Sequence, residues 1–210
     1  GHLDLEHHTR ILPEDSFWKG LPNFVWHGED LDVTVLFWQP LFEEMSSKVK
    51  VGLCGQGADE LHGGYGRYRK LHDHSVMVSN RLKLIGGVDA AHFPKGPGQP
   101  WIDTNLIPER HFSNLESTLQ FELDRGQLSN FQLRLADRHS MAYGLEARVP
   151  FLASKHREIS HRLPMSWRVS GHREKIALRE AASKTSLPRE IVSRPKLPAG
   201  TATAPSMVNE

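Results

Sequence analysis

Three things are scarce in this chain, and each scarcity removes a class of function. Among 210 residues there is one cysteine, Cys54. No internal disulfide can staple the fold, and a reducing, cytoplasmic setting is expected. No apolar run approaches the roughly 18 residues needed to cross a bilayer; the densest is Val33 to Trp38, so no membrane partner is expected. Excess charge is the third. With 26 basic and 25 acidic residues the formal net charge is +1, which argues against a nucleic-acid coat or a membrane-surface binder. A charged-then-apolar leader is missing as well, so nothing reads as a secretory signal. The chain opens on Gly-His without Met, as a processed protein or a piece of a longer one would.

What is present is ordinary for a globular protein: 38% hydrophobic and 24% charged residues, with room for one large domain or two small ones. The charge is uneven. Arg134 to Lys196 holds 14 basic and 6 acidic residues, leaving 12 basic and 19 acidic elsewhere. Such a basic third either faces a polyphosphate or salt-bridges to the acidic remainder, and the second is the commoner outcome.

Val49 to Leu53 is a short β-branched run that predicts a strand. It passes directly into Cys54-Gly55-Gln56-Gly57-Ala58-Asp59-Glu60-Leu61 and then Gly63-Gly64-Tyr65-Gly66, a glycine turn opening a helix. Val33 to Ser46 reads as a helix started or interrupted near Pro40, with Leu41, Phe42 and Met45 as its buried stripe. Helix followed by strand is one α/β unit. The loop signals Gly86-Gly87 and Pro94 to Pro100 divide an α/β part, about 1–90, from a mostly helical part, about 100–196. In the second part Leu128, Phe131 and Leu135 share a helix face, with Gly144 as the stop. Ser154 is expected to cap a helix through Arg162, and Glu174 to Lys184 forms another. Residues 197–210 read as a loose tail, and no internal repeat is found.

The glycine turn carries the chemistry. Glycines after a strand let backbone N–H groups approach a phosphate closely, and Asp59 and Glu60 add carboxylates where a helix begins. Two familiar phosphate motifs fail: the last slot of G-x-G-x-x-G is Glu60, and no Gly-Lys pair follows. On these residues alone, a tight turn with capping carboxylates competes evenly with a nucleotide cradle.

The longer strings favour the cradle. Val51 to Tyr65, V-G-L-C-G-Q-G-A-D-E-L-H-G-G-Y, resembles the asparagine synthetase signature V-x-L-S-G-x-G-x-D-E-x-x-G-G-Y. Ala136 to Leu152, A-D-R-H-S-M-A-Y-G-L-E-A-R-V-P-F-L, is similar to that family's D-R-x-S-M-x-x-G-x-E-x-R-x-P-F-L-D. Glu174-Lys175-Ile-Ala-Leu-Arg179-Glu180 resembles its lysine motif, followed by Leu187-Pro188 and Arg194-Pro195-Lys196. The three blocks stand in family order across residues 51–196, with 1–50 a looser match.

The resemblance implies an α/β fold: a parallel-sheet, ATP-pyrophosphatase-like part followed by helices, forming one synthetase-like domain over 1–196. It implies a ligase that adenylates the side-chain carboxylate of aspartate with ATP, then amidates it with ammonia released from glutamine by a separate N-terminal domain. Cys54, Gly55 and Gly57 take the nucleotide-contacting positions. Asp59 takes that of a Mg²⁺ and ATP ligand. Lys175 takes that of the cation opposite the leaving pyrophosphate, and Gln56 the position linked to adenylate formation. Glu60, Glu146 and Arg148 are candidates for substrate contact, though the last two read rather better as a structural ion pair buried under Phe151. A homodimer is a further expectation.

Other residues are read as architecture. Asp137 and Arg138 support the fold, the tryptophans pack, and His72-Asp73-His74 is a surface loop despite its metal-like look. The chain departs from the family pattern at Cys54 for serine, at Gln56 where many relatives carry a carboxylate, and at Ala153 for aspartate. No S-G-G-x-D-S phosphate loop occurs in it. The isolated chain is therefore expected not to exchange pyrophosphate into ATP. A related amide- or lactam-forming ligase and a non-catalytic remnant or partner subunit remain open.

Overall fold

A computed structural model describes residues 4–11, 13, 16–29, 38–76, 112–124 and 128–197. The loop expected at 86–100, Trp101 and the end of the tail lie outside these residues, as do Val33 to Phe37. The chain divides into two compact units with interleaved sequence. Among the described residues no helix is long and apolar enough to cross a membrane.

The first unit comprises Gly1–Cys54, Arg134–Arg148 and Thr185–Glu210. It holds α1 (Ser16–Gly28), α2 (Trp38–Ser46) and β1 (Val51–Leu53). α2 begins two residues before Pro40, where the missing N–H costs nothing because a first-turn amide has no intrahelical acceptor. Its buried side chains are Trp38, Gln39 and Phe42. Leu41, expected in that stripe, is 44% exposed.

β1 pairs in parallel with β2 (Glu146–Arg148), in the register Val51↔Glu146, Gly52↔Ala147 and Leu53↔Arg148. Cys54 N–H donates to the Arg148 carbonyl at 2.7 Å, extending the ladder by one bond. A Cβ on Gly52 would lie 2.7 Å from Met45 Cε. Glycine in mid-strand thus lets α2 approach the sheet.

Between the two strands in sequence runs α6 (Leu133–Met141), which ends before Gly144 at φ +66. That glycine is the helix stop expected from the sequence. Leu135, Leu145 and Phe24 are fully buried around His139, which stacks on Phe24 at 4.2 Å and meets Gln39 Nε2 at 3.3 Å. Burial, with smaller contributions from His27 and Arg138, lowers the His139 pKa to about 4. Arg138 donates to the Gly28 carbonyl at 2.9 Å and to Glu29 at 2.7 Å, closing the C-terminus of α1. Its architectural role follows the sequence reading.

The second unit comprises Gly55–Leu133 and Val149–Lys184. Its centre is a five-residue helix, α3 (Ala58–His62), packed by α5 (Leu115–Asp124), α7 (Ser154–His161) and α8 (Ile176–Ala182). Leu61, Leu119, Leu128, Tyr68 and Phe112 are buried here. Residues 71–76 are helical, labelled α4. The sequence reading of His72 to His74 as a surface loop is corrected there: His74 is buried, edge-on to Phe112 at 4.6 Å.

β3 (Val169–Ser170) and β4 (Arg173–Glu174) form a hairpin leading to α8. The helix expected over Glu174 to Lys184 is therefore shorter, because Glu174 belongs to a strand. Beyond it, in the first unit, Pro188 stands immediately before a short helix α9 (Arg189–Ser193). Of the described tryptophans only Trp38 is buried; Trp18, Trp26 and Trp167 are 72%, 79% and 49% exposed, which corrects their general reading as packing residues.

Candidate functional site

α3 is too short to stand alone, and its two ends are set by glycine. Gly57 precedes it at φ +89, and a Cβ there would overlap Leu152. Gly63 follows it at φ +69, a conformation that side chains with a Cβ resist. Gly64 N–H then donates to the Asp59 carbonyl at 2.8 Å. The doubled glycine of the sequence motif has two separate causes: Gly63 turns the chain, and Gly64 makes room.

The room is taken by an ion pair. Lys175 Nζ lies 2.8 Å from Asp59 Oδ1, with side chains only 18% and 13% exposed. A Cβ on Gly64 would overlap both Asp59 Oδ1 and Lys175 Cε. Two motifs 116 residues apart in sequence thus meet at one contact. A low-dielectric setting strengthens such a pair and makes either charge alone costly.

Lys175 is not an exposed helix residue. It occupies the residue before α8 in the left-handed region, at φ 52 and ψ 37. Its N–H donates to the His62 carbonyl at 3.2 Å, and the next amide, Ile176, donates to Arg168 at 3.3 Å. A left-handed backbone at a residue with a Cβ costs about 1 to 2 kcal/mol. Here it turns the long side chain back toward α3 as β4 gives way to α8.

Glu60 stands beside Asp59 and is fully buried, with neither carboxylate oxygen meeting a hydrogen-bonding side chain. Burial raises its pKa to about 7, with smaller pushes from Asp59 and Glu122, partly offset by its own main-chain amide and by Arg67. Near neutrality this carboxyl is about half protonated.

Behind it lies a polar cluster that sequence reasoning missed. Arg67 donates to the buried Glu122 through Nε at 3.3 Å and Nη2 at 3.1 Å. The same guanidinium lies 4.0 Å from the Tyr65 ring centre. Gln132 donates to the Tyr65 hydroxyl at 2.7 Å, and burial, followed by Glu60 and Asp59, raises the Tyr65 pKa, keeping the phenol protonated. Neither Glu122 nor Gln132 lies in a recognisable motif, so no sequence signal pointed to them.

The remaining predicted residues are placed as follows. Gln56 is half-buried in the turn, and Gly55 is exposed with open space where a Cβ would be. Cys54, Glu146 and Arg148 belong to the first unit. Cys54 is a half-buried free thiol. Arg148 Nε donates to Glu146 at 2.8 Å, so the expected pair forms, but its side chains are 61% and 58% exposed. The burial expected for it is corrected: residues two apart on a strand share a face, and this face is open. That hydrogen bond lowers the Glu146 pKa.

No group of three or more His, Cys, Asp or Glu side chains suited to a metal occurs among the described residues. Asp59 is a single carboxylate, so its donor set fits a cation that arrives already bound by phosphate oxygens and water, the usual manner of Mg²⁺.

The asparagine synthase family matches residues 1–209. The chain is 25% identical to the glutamine-hydrolysing asparagine synthetase 1 of Bacillus subtilis, an alignment covering 93% of this chain and 38% of that protein. It is 26% identical to a putative glutamine-hydrolysing asparagine synthetase of Mycobacterium tuberculosis, covering 93% and 36%. With the asparagine synthetase of Bos taurus it shares 26% identity over 93% and 29%. The chain therefore spans well under half the length of these relatives. With the family model matching residues 1–209, nearly its whole length, this chain belongs to the asparagine synthase family.

Proposed function

We propose that this chain supplies the adenylating, ATP-pyrophosphatase-like portion of an asparagine synthetase-type ligase, with residues 1–196 acting as its synthetase domain. The observation that carries this reading is the Asp59–Lys175 pair. A phosphoryl-type displacement at the α-phosphate of ATP asks little covalent chemistry of the protein; it asks for positioning and for neutralisation of the departing charge. Lys175 is the cation for that task. Held at 2.8 Å from Asp59, its ammonium is fixed before substrate arrives, so little reorganisation is needed at the moment of reaction.

Asp59 would hold a Mg²⁺ carried by the nucleotide, which supplies charge neutralisation when bound. Gly55 is exposed with open space around it, which suits contact between its backbone N–H and a nucleotide, whereas Gly57 is buried against Leu152 and shapes the turn. Cys54 and Gln56 keep their nucleotide and adenylate positions through the family motif. Glu60 lies behind this surface rather than on it, which favours a supporting role over substrate contact. Glu146 and Arg148 keep their candidacy for substrate contact through exposure alone. The names of the relatives favour aspartate as the acceptor carboxylate and ammonia from glutamine as the nitrogen donor.

A chimera tests the reading. Residues 51–196 are placed in the Bacillus subtilis synthetase in exchange for the matching segment. Aspartate-dependent exchange of pyrophosphate into ATP is the expected result. Lys175→Ala in the same chimera should abolish that exchange while leaving glutamine hydrolysis intact. Loss of both activities together would make Lys175 structural and refute its role.

A further inference from the structure

α3 ends in a histidine turned away from solvent. His62 is 3% exposed, and its Nε2 lies 3.0 Å from Nε2 of His156 on α7, the two rings meeting edge to face at 5.2 Å. Nδ1 of His62 is buried without a hydrogen-bond partner. Two ring nitrogens at this distance share one proton, so one imidazole donates and the other accepts.

The unpaired nitrogen decides which. Were His62 the acceptor, its proton would sit on Nδ1 as a buried donor with nothing to receive it. As the donor, His62 leaves only an unused lone pair at Nδ1, the lesser penalty. His62 is therefore the Nε2–H tautomer and His156 the acceptor. Burial, with the neighbouring His156, Arg168 and Lys175, lowers the His62 pKa to about 4, so at neutral pH His62 is the uncharged donor. Phe151 packs edge-on against the far ring at 5.5 Å.

The main chain of the same residue does something else. The His62 carbonyl accepts the Lys175 N–H at 3.2 Å, and Lys175 is held in the left-handed region. A conformation of that kind persists only where its surroundings over-determine it. We propose that the His62–His156 hydrogen bond is a positioning clamp: it fixes the C-terminal end of α3 against α7, so that the His62 carbonyl holds the backbone from which Lys175 reaches Asp59. His62 and His156 are thus positioning residues, and their functional meaning rests on reading Lys175 as the phosphate-facing cation.

The test uses the whole 210-residue chain and needs no turnover. Long-range ¹H–¹⁵N imidazole spectra should show His62 as the Nε2–H tautomer. Amide hydrogen exchange at Lys175 should quicken about tenfold in His156→Ala, with Leu119 in α5 unchanged. His156→Gln, which restores an acceptor, should return the Lys175 rate to within about threefold of the original. An Nδ1–H tautomer at His62, or unaltered Lys175 exchange in His156→Ala, would overturn the clamp. The tautomer is read on the unsubstituted chain, so the proposal stays decidable even if the alanine variant does not fold. MgATP affinity of Lys175→Ala, which leaves both histidines in place, judges the functional reading separately.

Discussion

Arg148 and Glu146 sit two residues apart on β2, 2.8 Å from each other and more than half exposed. Lys175 and Asp59 are also 2.8 Å apart, but they are drawn from distant motifs and less than a fifth exposed. Equal lengths conceal unequal consequences. In water an exposed pair gains little beyond the entropy lost in holding two side chains, about 0 to 1 kcal/mol. In the interior each ion has surrendered hydration, so removing one partner strands the other at about 3 kcal/mol or more. The enclosed pair is therefore the one that can be poised for a second, stronger partner, and the exposed one is a surface contact.

The sharpest way to break this contrast is Gly64→Ala. Its Cβ would overlap both Asp59 Oδ1 and Lys175 Cε, so the two side chains must swing apart to admit it and the pair is lost. A loss of about 3 kcal/mol in urea unfolding is expected, together with loss of exchange in the chimera.

Next comes position 175 itself. Lys175→Ala should cost about 3 kcal/mol by taking away the ammonium 2.8 Å from the largely enclosed Asp59 carboxylate. Lys175→Gly should be about 1 kcal/mol more stable than the alanine variant, because glycine alone is at ease at φ 52. Equal stabilities would mean that the backbone there carries no strain.

Stability should also depend on pH through the enclosed groups beside the pair. The Glu60 carboxyl titrates near 7 in the folded chain against an ordinary value of 4.5, so the folded state binds the extra proton between those values. Its contribution to stability is complete below about pH 4.5 and is lost as pH rises through about 7, a change of about 1 to 3 kcal/mol. His62 and His139, lowered to about 4, act oppositely: what their neutral forms allow is lost as pH falls from 6.5 toward 4. Glu60→Gln should remove the alkaline-side loss and leave the acid-side loss. Thermal melts across pH 4 to 8 would read both limbs.

Arg148→Ala should have the smallest effect, leaving the midpoint of urea unfolding unchanged. Because Glu146 loses its partner, the carboxyl should titrate closer to its ordinary value, which carbon-detected NMR would follow.

The sequence was most legible where cause is local. The run Val51 to Leu53, the glycine turn and the acidic start of α3 are dictated by neighbours along the chain, and the stop at Gly144 needs only its own positive φ. The family strings also singled out Asp59 and Lys175 without geometry. Legibility failed where distant chain decides. Helical periodicity ran through Glu174 and Lys175 because nothing in their residue types announces that β4 pairs with β3 and that His62 captures the next amide. His72 to His74 carried loop-like polarity, yet Phe112 lies against His74 and buries it. Leu41 and Trp26 have core-like side chains on faces that remain open among the described residues. The clamp histidines left no signal at all, since a histidine on an apolar face reads as filler until its partner, 94 residues away, is in view.

On the proposed function, the enclosed Asp59–Lys175 pair is the seat of a nucleotide's phosphates. Calorimetric titration of the chain with MgATP is the most direct measurement of that. Binding by the unaltered chain, weakened at least tenfold by Lys175→Ala and by Asp59→Asn but untouched by Arg148→Ala, is the predicted result. No binding by the unaltered chain, or equal affinity in Lys175→Ala, would contradict it.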